Sequence, residues 1–138
     1  MSLSIIMPKG YQKSRTSVHF MHYHFVWCPK YRRAILVNDV KKRLTDLINE
    51  KADELGCTII NLSINPDHVH LFIQALPTQA PNKIIGMIKG YTSKILREEF
   101  PHLKSKLPSL WTRSYFVSTY GHVSTEIIEK YIENQKGV

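Results

Sequence analysis

The chain has 138 residues, of which 43% are hydrophobic and 22% charged, with 19 lysines and arginines against 11 aspartates and glutamates. This length suits a single domain over residues 1–138, and the ordinary apolar content excludes a disordered or collagen-like chain. No apolar run approaches the roughly 18 residues that span a membrane, and no export signal is expected. Two cysteines without a Cys-x-x-Cys pair favour a cytoplasmic location. The net charge of +8 favours a polyanionic partner, either nucleic acid or an anionic membrane.

The predicted elements begin with a strand and an amphipathic helix. A strand is predicted over Val18–Cys28 because aromatic and β-branched residues dominate this segment. Apolar residues then recur at helical spacing from Val40. Asn38 and Asp39 are the candidate N-terminal caps of this helix, and Gly56 is its predicted end.

Two strands and a second helix are predicted for the middle of the chain. The strands are Cys57–Asn65 and Val69–Leu76, joined by a tight turn at Asn65-Pro66-Asp67. The second amphipathic helix runs over Asn82–Glu99, and Pro101 is expected to end it.

A fourth strand, Trp111–Tyr120, and a final helix, Ser124–Gln135, complete the predicted elements, after a loose lead-in over residues 1–17. The order β-α-β-β-α-β followed by a helix is that of the split-βαβ, ferredoxin-like fold in the α+β class. We therefore expect one antiparallel sheet with two helices on one face. The open face and the last helix are the expected place for a functional site.

The sharpest local signal is the pair His68 and His70 on the third predicted strand. Side chains alternate along a strand, so both imidazoles share one face while Val69, Leu71 and Ile73 share the other. Because the apolar trio can pack on the helices, both imidazoles are expected on the open face. Two neutral imidazoles at this spacing can share one divalent cation. The alternative is two partly exposed histidines without a metal.

A second pair with the same spacing, His22 and His24, lies on the first predicted strand. Aromatic residues surround this pair, and in such surroundings core or edge histidines are at least as common as metal ligands. We therefore prefer His68 and His70 as the metal-binding pair.

Tyr131 and Gln135 lie four residues apart on the last predicted helix and so share one of its faces. Tyrosine offers a phenolic nucleophile, and glutamine offers a neutral carbonyl oxygen that can ligate a hard cation. The alternative is an ordinary packing stripe together with Ile128 and Ile132. Spacing alone favours that alternative.

Five blocks of sequence, in order along the chain, match one known family. They are His24 to Arg32, Pro66 to Leu71, Lys89 to Ser93, Leu110-Trp111 with Tyr115-Phe116-Val117, and Tyr131 to Gln135. Together they resemble the single-tyrosine HUH transposases of small bacterial and archaeal insertion sequences, in which HUH denotes His-hydrophobe-His. The likeness spans about residues 18–135.

The resemblance implies a metal-dependent DNA strand transferase that cleaves and rejoins single-stranded DNA. It implies that His68, His70 and Gln135 are the metal ligands on the protein. It also implies that Tyr131 is the catalytic nucleophile and forms a 5′-phosphotyrosine intermediate. The family cation is Mg²⁺ or Mn²⁺, although imidazole ligands alone would favour zinc or a later transition metal. No residue is assigned as the general base.

The resemblance further implies a homodimer that binds imperfect DNA hairpins at the ends of the element. The tyrosine helix of one subunit can then complete the histidine site of the other. Gly121 is the expected hinge before a mobile nucleophile helix over residues 122–138, because glycine absorbs large changes in φ and ψ. The candidate nucleic-acid contacts are Lys30, Arg32, Arg33, Lys89, Lys94 and Trp111.

Two other functions fit the same fold. A non-catalytic module that binds single-stranded nucleic acid would use aromatic residues on the two central strands. Phe72 is the only aromatic residue expected on the open face of the second and third strands, which argues against such a module. A metal-dependent hydrolase would release its product without a covalent intermediate. A covalent protein–DNA adduct separates both from the transposase.

Overall fold

A computed structural model describes residues 19–119 and 125–138. The described elements, in chain order, are β1 (Met21–Trp27), α1 (Asn38–Glu54), β2 (Thr58–Asn65), β3 (His68–Ala75), α2 (Pro81–Glu99), α3 (Pro101–Ser105), β4 (Phe116–Ser118) and α4 (Thr125–Asn134). A short 3-10 turn, Lys30–Arg32, follows β1. The predicted lead-in and the predicted hinge Gly121 lie outside the described residues.

The four strands form one antiparallel sheet in the order β2-β3-β1-β4, so β1 and β3 are its central strands. This is the strand order of the ferredoxin-like fold, and it confirms the predicted α+β class. The predicted apolar trio Val69, Leu71 and Ile73 is fully buried in the core with residues of α1 and α2. Burial of each such side chain contributes about 1.5–3 kcal/mol to stability. This burial keeps His68 and His70 on the opposite, open face of β3.

The apolar stripe of α1 is buried as predicted, and Gly56 follows the helix with a φ of 74°, a backbone conformation that glycine adopts without strain. The predicted N-terminal caps are wrong. Val37 is the N-cap and makes no side-chain cap hydrogen bond, while Asn38 and Asp39 lie in the first turn. There the carboxylate of Asp39 meets the positive end of the helix dipole.

The segment after α2 also differs from the prediction. Pro101 begins α3 instead of a loop, because proline fits the first position of a helix, where no N–H partner is needed. Among the described residues, the fourth strand covers Phe116–Ser118, so the prediction Trp111–Tyr120 begins too early, and Tyr120 lies outside the described residues. The carbonyl groups of residues 112–114 bind the Lys89 ammonium group instead of a neighbouring strand.

Helix α4 lies on the open face of the sheet. The ring of Tyr131 packs against Phe116 of β4, with 6.0 Å between ring centroids. Val117 packs into the core, and side chains alternate along a strand, so its neighbour Phe116 lies on the opposite face of the sheet. His24 lies on that same face. The sheet therefore separates the α1–α2 layer from α4. Among the described helices, none has the length and apolar character needed to cross a membrane.

Candidate functional site

His68 begins β3 directly after the turn that carries Asp67. The Nδ1 atom of His68 lies 2.7 Å from Oδ1 of Asp67, so this nitrogen donates to the carboxylate. The Nε2 lone pair is then available to a ligand. Such a bond fixes the orientation of the ring, and metal-binding histidines are commonly oriented in this way.

His70 lies beside His68 on the same face, with 5.1 Å between the ring centroids. Its Nδ1 atom lies 3.4 Å from Nε2 of His24 on β1, and these two rings are stacked. Burial, and then the nearby His68 and His24, lower the pKa of His70 to about 4. Its imidazole is therefore neutral at neutral pH, which is the form that binds metals.

His24 is a residue of the histidine cleft that sequence reasoning did not prefer. For the pair His22 and His24, core or edge histidines were at least as common an interpretation as metal ligands, and the structure places both side chains on the open face with different hydrogen-bond partners. His24 lines the site beside His70, whereas His22 bonds Gln74, with 3.1 Å between Nε2 and Oε1. The predicted ferredoxin-like topology makes the first and third strands neighbours, and that adjacency is the signal that identifies His24.

A cleft of about 570 Å³ separates the three histidines from α4. Its lining residues are His24, His68, His70, Thr125, Ile128, Glu129, Ile132 and Glu133. The side of α4 that faces the histidines therefore carries carboxylates. Among the described residues, no group of three or more His, Cys, Asp or Glu is arranged to hold a metal ion.

Tyr131 of α4, and Gln135 directly after the helix, lie on a different side from this cleft. Successive helical residues rotate by about 100°, which places Tyr131 roughly opposite Glu129 and Glu133 on the helix. The Tyr131 hydroxyl oxygen lies 2.9 Å from Oγ of Ser114, and the same Oγ donates to Oε1 of Gln135 at 2.9 Å. The shared face that the spacing predicts is therefore present, and it meets the segment before β4.

The environment of Tyr131 works against its ionisation. Burial raises the pKa of the Tyr131 phenol, and hydrogen bonds to the Ser114 and Thr112 side chains act in the opposite direction. The Gln135 side chain is buried, with Gln135 8% exposed. Neither group stands free in solvent.

Arg32 joins the histidine site to α4. Its Nε atom lies 3.2 Å from Oδ2 of Asp67, and its Nη1 atom lies 3.3 Å from Oε2 of Glu133. The same Nη1 donates to the carbonyl oxygen of Ile132 at 3.4 Å. Arg32, predicted as a nucleic-acid contact, therefore has partners within the protein.

Two more of the predicted nucleic-acid contacts have internal partners. Trp111 is 6% exposed and donates from Nε1 to Oγ1 of Thr92, so it packs in the core and offers no ring face for a base in this structure. Lys89 binds three backbone carbonyls, and burial lowers its pKa to about 8.

Tyr31, which the sequence did not single out, forms an exposed aromatic group beside two of the remaining candidate contacts. Tyr31 is 39% exposed. Lys30 Nζ and the Arg33 guanidinium lie 5.2 and 6.0 Å from its centroid. Lys94 is exposed on α2. Cations around an exposed ring are typical of surfaces that hold unpaired bases.

Comparison with known proteins identifies the family of this chain. The family model described as "Transposase IS200 like" matches residues 17–135. The chain belongs to the IS200-like transposase family. It is therefore a DNA-processing enzyme of insertion elements.

Two transposases illustrate the relationship in sequence. The chain is 36% identical over 133 residues to the ISDra2 transposase TnpA of Deinococcus radiodurans, and the match covers 95% of each protein. It is 30% identical over 115 residues to the transposase of insertion element IS200 from Salmonella typhimurium, covering 82% of this chain and 75% of that one.

Two solved structures illustrate the relationship in fold. A crystal structure from Deinococcus radiodurans, assigned as a transposase, has a TM-score of 0.84 at 33% identity, covering 92% of this chain and 99% of that one. A REP-associated tyrosine transposase bound to a REP hairpin has a TM-score of 0.56 at 13% identity, covering 88% and 68%. The second likeness is one of fold alone.

Proposed function

We propose that this IS200-like transposase cleaves and rejoins single-stranded DNA at the ends of its element, with Tyr131 as the nucleophile. The observation that carries the proposal is the site on the open face. His68 and His70 each have Nδ1 engaged by a neighbour, and the helix with Tyr131 packs over the same face. A plain hairpin-binding protein would need neither feature.

His68 and His70 fit a divalent cation, because with Nδ1–H as the donor toward Asp67 and His24 the Nε2 lone pair of each ring remains for a ligand. The cation, Mg²⁺ or Mn²⁺, would polarise the scissile phosphate and offset the charge that develops on its oxygens. Gln135 has a suitable oxygen, which accepts one hydrogen bond from Ser114 and keeps a second lone pair. Gln135 can therefore act as the third ligand once α4 changes position relative to the cleft.

Tyr131 supplies the group that carries the covalent intermediate. Its oxygen forms a bond to the phosphorus on the 5′ side while the bond to the 3′ oxygen breaks, which leaves a free 3′-hydroxyl. The phenol proton must leave before or during this step, since free tyrosine has a pKa of about 10. A later attack by a 3′-hydroxyl on the phosphotyrosine reverses the sequence and rejoins DNA without an external energy source.

The position of Tyr131 requires a movement of α4 before catalysis. Within one chain, α4 turns Glu129 and Glu133, rather than Tyr131, toward the histidine cleft. The helix must therefore change position before the phenol reaches the histidines of either its own chain or a partner. We propose a homodimer in which the helix completes the partner's site, with Gly121 as the hinge.

The basic surface supports binding of a DNA hairpin with unpaired bases. Lys30 and Arg33 surround the exposed ring of Tyr31 next to the site, and Lys94 lies on α2. The ring can stack on a base while the cations bind phosphates. We propose these residues as the protein's DNA contacts.

The test is capture of the covalent intermediate. Wild-type protein, Mn²⁺ and a labelled single-stranded hairpin from the flank of the element are expected to give a protein–DNA band that survives denaturant. Tyr131→Phe is expected to abolish the band. Tyr91→Phe is the matched control, because the Tyr91 hydroxyl bonds Glu50 and lies outside the site.

Each outcome has a distinct meaning. A band that persists in Tyr131→Phe contradicts the nucleophile assignment. Cleavage without any band from the wild-type protein favours a hydrolase, and tight hairpin binding without cleavage favours a non-catalytic nucleic-acid-binding protein.

A further inference from the structure

Ser114 stands between the two candidate functional groups of α4. Its Oγ atom lies 2.9 Å from the Tyr131 oxygen and 2.9 Å from Oε1 of Gln135. A serine hydroxyl has one proton, and here it goes to Gln135, because a carbonyl oxygen only accepts. Tyr131 must then donate its own proton to Ser114. The arrangement is a chain of two hydrogen bonds that runs from Tyr131 through Ser114 to Gln135.

The main chain that carries Ser114 is firmly held. The Nζ atom of Lys89 lies 2.7 and 3.0 Å from the carbonyl oxygens of Thr112 and Ser114 and 3.4 Å from that of Arg113. These bonds fix the backbone of residues 112–114 on α2, so Ser114 can change its hydrogen bonds by rotating only its hydroxyl group. A preorganised donor of this kind needs little rearrangement when charge appears beside it.

We propose that Ser114 is a positioning residue for Tyr131, and that its hydroxyl proton turns from Gln135 to the Tyr131 oxygen when Tyr131 loses its own proton. The phenol O–H bond breaks and its proton passes to water. The Ser114 hydroxyl then rotates, which breaks its hydrogen bond to Gln135 and forms one to the phenolate. No covalent bond of Ser114 changes. This inference rests on the proposed function of Tyr131.

The exchange links two events on α4. When Tyr131 ionises, the Ser114 hydroxyl gives up its hydrogen bond to the carbonyl oxygen of Gln135. While Ser114 donates to Gln135, it cannot donate to the phenolate. One hydroxyl therefore serves both groups in turn, and each group competes with the other for it. The competition predicts opposite effects for loss of Ser114 and loss of Gln135.

Charged and titratable groups from neighbouring elements also act on this position. Cys28 follows β1, and burial is the main cause that raises the pKa of its thiol to about 12, so it is neutral at neutral pH. Lys89 acts through the carbonyls of residues 112–114. Arg32 binds the carbonyl of Ile132, the residue after Tyr131. Because the pKa of Lys89 is about 8, this side chain is already a neutral amine in the pH range in which the Tyr131 phenol titrates, so its own charge change is complete before that titration begins.

The experiment is an NMR titration of the full-length protein without DNA or metal, with tyrosine labelled by ¹³C at Cζ. The Tyr131 signal is assigned by its loss in Tyr131→Phe. Ser114→Ala is expected to lower the acid dissociation constant of Tyr131 roughly tenfold, that is, to raise its pKa. The reason is that the charged phenolate oxygen loses a hydrogen-bond donor. Ser114→Thr keeps a hydroxyl and should restore the wild-type titration.

Gln135→Met is the second arm and is expected to change the titration in the other direction. Without the competing acceptor, the Ser114 proton is free for the phenolate, so Tyr131 ionises at lower pH than in the wild-type protein. Ser109→Ala is the matched control, since Ser109 bonds the Trp111 carbonyl on the same loop. If the two substitutions acted only by disturbing the structure, Ser114→Ala and Gln135→Met would shift the pKa of Tyr131 in the same direction. That result overturns the proposal.

The titration and the covalent-adduct assay fail independently. If Ser114→Ala does not fold, the pKa of Tyr131 in Gln135→Met tests the proposal alone. A lower pKa than in the wild-type protein supports the proposal, and an unchanged or higher pKa overturns it. If the titrations behave as expected but the wild-type protein gives no adduct, the hydrogen-bond exchange stands and the proposed function fails.

Discussion

The Asp67 carboxylate is bound by Arg32, with 3.2 Å between Nε of the guanidinium and Oδ2 of the carboxylate. The other oxygen of the same carboxylate binds His68, and the same guanidinium binds Glu133 on α4. A single side chain thus connects the ring of a candidate metal ligand with the helix that carries the candidate nucleophile. Movement of α4 must break one half of this connection.

Replacing Arg32 with Gln is expected to destabilise the fold by about 1 kcal/mol, because partly exposed ion pairs contribute modestly and the carbonyl of Ile132 also loses its donor. Urea unfolding monitored by tryptophan fluorescence measures the change. Arg33→Gln, one residue later and exposed, is the control and should alter the free energy of unfolding by less than about 0.5 kcal/mol. Equal losses in both variants would contradict the assigned role of Arg32.

Removing the His24 imidazole is expected to weaken metal binding without removing a ligand. His24 orients His70, and loss of such a partner typically lowers metal affinity about 10–100-fold. Titration of His24→Ala with Mn²⁺, followed by electron paramagnetic resonance, measures the affinity. His22→Ala should bind Mn²⁺ like the wild-type protein, because its partner is Gln74. Unchanged affinity in His24→Ala would remove His24 from the site.

The burial of Lys89 predicts a pH dependence of stability. Its folded pKa of about 8 lies below its ordinary value of 10.5, so the folded protein releases this proton before the unfolded chain does. The cost of burying the charge is complete below pH 8 and disappears as the pH rises toward 10.5. Relative to Lys89→Met, the wild-type protein should therefore gain up to about 3 kcal/mol of stability across this interval, and less where solvent screens the partly exposed ammonium group.

Urea unfolding at a series of pH values measures that difference. Lys94→Met is the control on the same helix, because Lys94 is exposed, and its stability should follow that of the wild-type protein at every pH. A constant difference between wild-type protein and Lys89→Met from pH 8 to 10.5 would show that Lys89 does not titrate in this range.

Mixed dimers test whether two chains share a site. One subunit carries Tyr131→Phe and the other carries His68→Ala with His70→Ala, so neither homodimer should form the covalent adduct. If the helix completes the partner's site, a heterodimer contains one intact site and should recover up to about half of the wild-type adduct. Differently tagged subunits allow heterodimers to be isolated. No recovery from isolated heterodimers would place Tyr131 in the site of its own chain.

The sequence predicted those features that depend on local patterns. The alternation of Val69, Leu71 and Ile73 was enough to orient His68 and His70, because a strand with a buried face has one stable register. The order of elements was enough for the ferredoxin-like topology. The common face of Tyr131 and Gln135 also followed directly from helical spacing.

Features that depend on distant contacts were beyond the sequence. The partner of Tyr131 is Ser114, which lies on a segment predicted to be a strand and is held instead by Lys89. The partners of Arg32 are 35 and 101 residues away and become neighbours only after the sheet and α4 assemble. The sequence alone does not distinguish basic residues that contact DNA from those that bind other parts of the protein.

The turn after β1 has a consequence for the order of folding. Tyr31 and Arg32 have φ values of 59° and 50°, a left-handed conformation that costs roughly 1 kcal/mol or more per residue outside glycine. Contacts with Asp67, with α4 and between the Tyr31 N–H and the Val138 carbonyl offset this cost, and each requires chain far along the sequence. The turn should therefore form late, after the hydrophobic nucleus, and open early. Substitutions there should accelerate unfolding while the folding rate stays nearly constant.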